Sequence, residues 1–121
     1  MARVLHFEIP SDDPQRTIRF YERTLGWKIQ QYEGQPYWLI STGEHTEPGI
    51  DGAIMPRDGP FVNVVNTIGV ESLDVTIRRI EENGGTIVVP RTAVPKVGWL
   101  IHFKDTEGNL TGAIQPDENA Q

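Results

Sequence analysis

The sequence predicts an α+β fold: two tandem βαβββ modules forming a curved mixed sheet with a cleft, and a helix on the outer face of each module. Three observations carry this expectation. First, the chain repeats itself. Thr17-Ile18-Arg19 returns as Thr76-Ile77-Arg78, Trp38-Leu39-Ile40 as Trp99-Leu100-Ile101, and Gly52-Ala53-Ile54 as Gly112-Ala113-Ile114, in one order and at offsets of 59, 61 and 60 residues. A duplicated unit of about 60 residues is longer than most solenoid repeats and points to a pseudo-twofold domain. Second, each half holds one stretch of helical periodicity, with Ile18, Tyr21 and Leu25 in the first and Leu73, Ile77 and Ile80 in the second. Third, short runs with strand character flank each stretch, one before it and three after.

Element by element, residues 3–9 read as a strand, with Val4, His6 and Glu8 on one face and Leu5, Phe7 and Ile9 on the other. Pro10 is expected to end it. Asp13 fits an N-cap and Pro14 the first helical position, while Gly26 is the stop. Strands are expected over 28–32, 37–41 and 50–55. In the second copy, residues 63–70 form a strand, Ser72 caps a helix and Gly84-Gly85 ends it. Strands follow over 86–89, 98–103 and 110–115, with a turn at 105–109. The reading gives one domain over 1–116, with modules at about 3–56 and 61–116, a linker at 57–60, and a polar tail at 117–121 expected to fray.

The chain has 121 residues, enough to bury about 65% of its unfolded surface without staples. It has no cysteine, hence no disulfide framework and no thiolate metal site. Eleven basic and seventeen acidic residues give a net charge of −6, which repels nucleic acid and anionic membranes. No apolar run approaches the roughly 20 residues of a membrane span, and the N-terminus lacks the apolar core of a signal peptide. The expected location is the cytoplasm.

A βαβββ unit buries one sheet face under its helix and leaves the other to line a cleft, the kind of concavity that takes small molecules. Nucleotide-binding and nucleophile-elbow signatures are missing: there is no P-loop, no Gly-x-Gly-x-x-Gly and no Gly-x-Ser-x-Gly. Arg16, Arg19, Arg23, Arg78 and Arg79 read as solvated helix faces.

At His6-Phe7-Glu8-Ile9-Pro10, Asp13-Pro14, Phe20-Tyr21, Leu25-Gly26-Trp27, Asn83-Gly84-Gly85 and Asp105-Thr106-Glu107-Gly108-Asn109 the chain resembles the vicinal oxygen chelate superfamily, over about residues 3–116. That superfamily includes glyoxalase I, extradiol dioxygenases, methylmalonyl-CoA epimerase, and fosfomycin and bleomycin resistance proteins. The likeness is strongest to its glyoxalase-like subgroup. It specifies fold far better than activity, because the superfamily spans lyases, isomerases, dioxygenases and binders. It also implies a homodimer.

The resemblance implies one metal ligand from the first and one from the last strand of each module. Mapped through the repeat, these positions fall on His6, Gly52, Val65 and Gly112. Glycine and valine carry no donor atoms, and a stable divalent site needs three or more protein ligands. The usual four-ligand site is therefore expected to be absent, and no cofactor is expected. A one-residue shift of register, bringing in Asp51, would change that. A divalent metal held by His6 and Glu8, about 7 Å apart along the strand, with a third donor from His102 or from a dimer partner, is the alternative.

Other candidates follow from position. His6 reads either as a polar pocket wall or as a ligand. Glu8 reads as a paired carboxylate or, if buried, as a general base. Gly52 and Gly112 read either as room for an organic ligand or as a bulge or tight packing between chains. Trp38 and Trp99 read as packed on the helices or as a stacking wall, with Tyr37 and Trp27 as further aromatics. Ile54, Val65, Thr67 and Ile114 complete the expected pocket. The function expected is binding of a small organic molecule. The alternative is a glyoxalase-like lyase or isomerase, or a dioxygenase-type enzyme, with His6 and Glu8 moving protons.

Overall fold

Pro14 and Gly26 bound the first helix as their chemistry requires. The computed structural model describes residues 2–121. Strand β1 (Arg3–Ser11) leads into helix α1 (Pro14–Leu25) and strands β2 (Lys28–Gln31), β3 (Trp38–Ser41) and β4 (Asp51–Pro56). The second half repeats that order with β5 (Val65–Gly69), α2 (Leu73–Glu82), β6 (Thr86–Val94), β7 (Gly98–Lys104) and β8 (Leu110–Pro116). The fold is α+β, a βαβββ module twice over. Contacts divide the chain into two units: His6–Val65, and Asn66–Gln121 together with the residues up to Leu5.

In the first unit the strands lie in the order β2, β3, β4, β1. β1 runs parallel to β4, and the other pairs are antiparallel. The Asp13 carboxylate accepts the Arg16 N–H, and Pro14 sits where no N–H is needed. Gly26 closes α1 at φ 70°, in the left-handed conformation, and its N–H bonds the Glu22 carbonyl at 3.1 Å. Ile18, Ile40 and Ile54 form the core, with Phe7, Ile9, Ile29 and Trp38 packed against them. Each such side chain contributes about 1.5–3 kcal/mol when fully buried. Leu25, expected on the buried stripe, is 58% exposed. Trp27 takes that place, stacked on Tyr21 at 4.8 Å between centroids. Pro10 does not end β1. The strand runs on to Ser11, with Pro10 and Ser11 opposite Met55 and Pro56, because proline keeps an extended φ and gives up only a donor.

In the second unit the order is β5, β8, β7, β6, with β5 parallel to β8. Ser72 caps α2 by accepting the Val75 N–H at 3.2 Å. After the Asn83 cap, Gly84 turns the chain at φ 91°. Leu73, Ile101 and Ala113 form the core, with Ile77, Ile80, Trp99 and Phe103 against it. β6 is longer than expected, because register shifts on either side of Val89 let the strand pass Pro90. Asp105 organises the expected turn by accepting the Glu107 and Asn109 N–H groups at 2.8 and 2.9 Å. Those donors, Asn109 foremost, hold its carboxyl below the usual value.

The tail is docked, contrary to expectation. The Asp117 N–H bonds the Val97 carbonyl, the Lys96 N–H bonds the Ala120 carbonyl, and Ala120 is buried. Asp117 also accepts the Trp99 indole N–H at 3.1 Å. A polar composition concealed one anchoring methyl group and a carboxylate with a specific donor.

Strand pairing also corrects the repeat. Trp38 stands opposite Ile54 and Ile40 opposite Gly52, whereas Trp99 stands opposite Gln115 and Ile101 opposite Ala113. The structural partner of Gly52 is therefore Ala113, and that of Gly112 is Asp51. Likewise Phe7 pairs with Gly52 and Ile68 with Ala113, which makes Thr67 the counterpart of His6. One offset of 61 runs through all of these strands, and the two Gly-Ala-Ile runs are one residue out of step. No helix among the described residues is long and apolar enough to cross a membrane.

Candidate functional site

Phe7 and Ile9 of β1 point into the first unit's core, so His6 and Glu8 between them point to the sheet's other face. Trp38 and Ile40 of β3 do the same, which turns Tyr37 and Leu39 to that other face. There the Tyr37 hydroxyl meets both β1 side chains. It donates to Glu8 Oε2 at 2.5 Å and lies 2.9 Å from His6 Nε2. A phenol has one proton, and an ionised carboxylate only accepts. His6 is therefore the donor in the second bond, and its ring carries the proton on Nε2.

Burial lowers the His6 pKa, against the opposing charges of Glu8 and Asp51. The Tyr37 pKa is driven well above the usual phenol value, by burial first and then by the charge and hydrogen bond of Glu8. The phenol is thus a fixed neutral donor, and His6 is held neutral near pH 7. His6 borders a groove of about 790 Å³ with Lys28, Gln30, Leu39, Ser41 and Asp51 on its wall. Tyr37 and Glu8 are not part of that wall. Their effect is to fix the His6 ring from the side. Asp51 stands opposite His6 in β4, and its Oδ1 accepts the Thr42 N–H at 2.9 Å and the Thr42 hydroxyl at 3.2 Å.

The remaining candidates divide by face. Trp38 and Ile54 belong to the core under α1. Gly52 faces the same way, and a Cβ there would meet the Phe7 carbonyl oxygen at 2.4 Å and its ring at 2.6 Å. Trp38 and Ile54 lie on the side away from His6, whereas Gly52, hemmed in by Phe7 on that side, also borders the groove beside His6. Trp99 packs under α2, so neither tryptophan forms a stacking wall. Gly112 and Ile114 lie on the face opposite Ala113, where a Cβ on Gly112 would meet Thr67 Oγ1 at 3.0 Å and His102 Nε2 at 3.3 Å. Buried Thr67 and His102 thus fill the room that the glycine leaves. Val65, also buried, lies two residues before Thr67 in β5.

With the corrected register, the four positions tied to a metal read His6, Asp51, Thr67 and Gly112. Two have strong donors and one is a hydroxyl. His6 Nε2 and Glu8 Oε2 are both engaged by Tyr37. Among the described residues no group of three or more His, Cys, Asp or Glu side chains is placed to hold a metal ion. The donor set of this chain does not fit the four-ligand divalent site. Sequence reasoning missed the phenol's role; Asp51 entered it only as the one-residue shift of register, which the pairing of His6 with Asp51 supports. Alternation offered a signal for the phenol: once Trp38 is assigned to the core, Tyr37 must face His6.

Comparison with known proteins identifies the family to which this fold belongs. A family model for the Glyoxalase/Bleomycin resistance protein/Dioxygenase superfamily matches residues 3–112. A "Glyoxylase-like domain-containing protein" of Didymella fabae is 32% identical over 117 residues, 89% of each chain. A superfamily member from Vibrio splendidus 12B01 superposes with a TM-score of 0.67 at 15% identity, over 97% of this chain and all of that one. A variant of Streptomyces coelicolor methylmalonyl-CoA epimerase, in complex with 2-nitronate-propionyl-CoA, gives 0.69 at 15% identity, over 100% of this chain and 99% of that one. The two structural matches establish shared fold alone. With its duplicated βαβββ modules and a match over nearly its whole length, the chain belongs to the Glyoxalase/Bleomycin resistance protein/Dioxygenase superfamily.

Proposed function

We propose that this protein binds a small organic molecule in the groove beside His6, without the four-ligand metal site found elsewhere in its superfamily. The observation that carries the reading is the His6–Tyr37–Glu8 cluster. It fixes a neutral imidazole at the edge of a groove of about 790 Å³ and commits His6 Nε2 and Glu8 Oε2 to the phenol. The groove mixes Leu39 with Ser41, Gln30, Lys28 and Asp51, a wall suited to an organic body with a few polar groups. A CoA ester analogue is bound by one of the similar solved structures, so acyl-CoA esters head the compounds to test. A homodimer in the cytoplasm completes the proposal, and sedimentation of the purified protein checks the dimer.

The test is a ligand screen by two-dimensional NMR, read at the amides of Leu39, Ser41 and Asp51. The expected result is a saturable shift at these amides with at least one compound, weakened in His6→Ala. A broad library that leaves all three unmoved would sink the binding reading.

One observation favours a second reading. The short Tyr37–Glu8 bond places a polarised carboxylate next to an imidazole, the pairing that a lyase or isomerase uses to move protons. Turnover of an enolisable carbonyl compound, lost in both Glu8→Gln and His6→Gln, would favour it over pure binding.

A further inference from the structure

The chain belongs to a superfamily whose fold houses divalent ions, yet its own residues do not fit one. We infer that the Tyr37 hydroxyl keeps His6, the one imidazole at a metal position of the superfamily, from taking an ion: it bridges His6 and Glu8 and masks that pair.

The geometry gives the phenol this role. His6 and Glu8 are two residues apart on one face of β1, and the Tyr37 hydroxyl is bonded to both. An ion between them would take an imidazole lone pair and a carboxylate oxygen. The phenol oxygen lies there instead, 2.9 Å from Nε2 and 2.5 Å from Oε2. It presents a proton to the carboxylate and a lone pair to the imidazole N–H. A metal needs the reverse at the imidazole, a bare nitrogen. The hydrogen bonds therefore do more than fill space. They set the His6 tautomer that presents a hydrogen where the ion would need a lone pair. Asp51, across from His6, is committed through Oδ1 to the Thr42 backbone and hydroxyl. The second unit has no such bridge to make. The counterparts of His6, Glu8 and Tyr37 there are Thr67, Gly69 and Gly98.

The inference rests on the metal-free half of the proposed function, and its test reads metal and not ligand. Wild type, Tyr37→Phe and the double variant Tyr37→Phe/Glu8→Gln are titrated with Co²⁺, followed by visible absorption and calorimetry. Tyr37→Phe is expected to bind Co²⁺ roughly ten- to hundred-fold more tightly than wild type, the equivalent of one released hydrogen bond to a charged group. Glu8→Gln in that background is expected to cancel the gain. A wild type that binds as tightly as Tyr37→Phe overturns the inference, as does a Tyr37→Phe protein with wild-type melting and no gain. A wild-type measurement stands apart from the variant's folding. The His6 ring nitrogens, followed by NMR, are expected to show Nε2 protonated and unmoved by equimolar Zn²⁺. A Zn²⁺-induced shift of those signals also overturns it. Neither result touches the ligand screen, which decides the binding reading on Leu39, Ser41 and Asp51.

Discussion

The single proton of the Tyr37 phenol goes to Glu8, and that choice fixes His6. Burial then lowers the His6 pKa, which has a consequence for stability. In the unfolded chain the ring titrates near its ordinary 6.5, so between that value and the lower folded one the unfolded state binds more protons. Stability is therefore full above pH 6.5 and falls as pH drops through the folded pKa. Urea unfolding between pH 7.5 and 4.5 should show this slope, and His6→Gln should flatten it. A wild type equally stable across the window would contradict the burial of His6. Gly52 and Gly112 give a second residue-scale contrast. A methyl at Gly52 meets backbone oxygen and ring carbon below 2.7 Å, while at Gly112 it meets the Thr67 hydroxyl at 3.0 Å. Overpacking of the first kind costs about 1–3 kcal/mol. Gly52→Ala is expected to lose stability in that range and Gly112→Ala distinctly less, by denaturant unfolding. Equal losses would contradict the opposed faces of the two glycines.

At the scale of elements, the ends of helices were legible because caps are local chemistry. Asp13-Pro14 and Gly26 each act within four residues of themselves, and the structure uses all three. Asp13→Ala should therefore cost about 1 kcal/mol, read by the same unfolding assay. Strand faces were legible only in part. Tryptophan and its neighbours kept register through the repeat, but Gly-Ala-Ile did not. Small residues were required at neighbouring positions for unrelated reasons: room for Phe7 in one module, room for Thr67 and His102 in the other. Identity of residue type then imitated identity of position. The phenol escaped for a different cause. Its partners lie 29 and 31 residues away in sequence, and no local pattern encodes a side-chain contact across that distance. The tail shows the same limit: the Trp99–Asp117 bond and buried Ala120 are long-range facts. Removing residues 117–121 should lower the melting temperature and speed proteolysis near β7, where a frayed tail would leave both unchanged.

For the molecule as a whole, family and metal come apart. The duplicated modules place the chain in a superfamily that includes metal-dependent enzymes, and every strand and helix agrees with that placement. The donor atoms do not, because His6 and Glu8 are bound to a phenol and the second module offers threonine and glycine at the matching positions. Thermal stability tests this without any ligand or assay of activity. An ion that binds only the native state raises stability by RT ln(1 + [L]/Kd), about 2.7 kcal/mol at a hundred times Kd. A shift of that size moves the melting temperature of a domain this long by several degrees. The expected outcome is therefore a melting temperature unmoved by chelator and unmoved by micromolar Zn²⁺, Mn²⁺ or Ni²⁺. A fall of several degrees on chelation, restored by one of these ions and absent in His6→Ala, would show that the superfamily's metal has a place here after all.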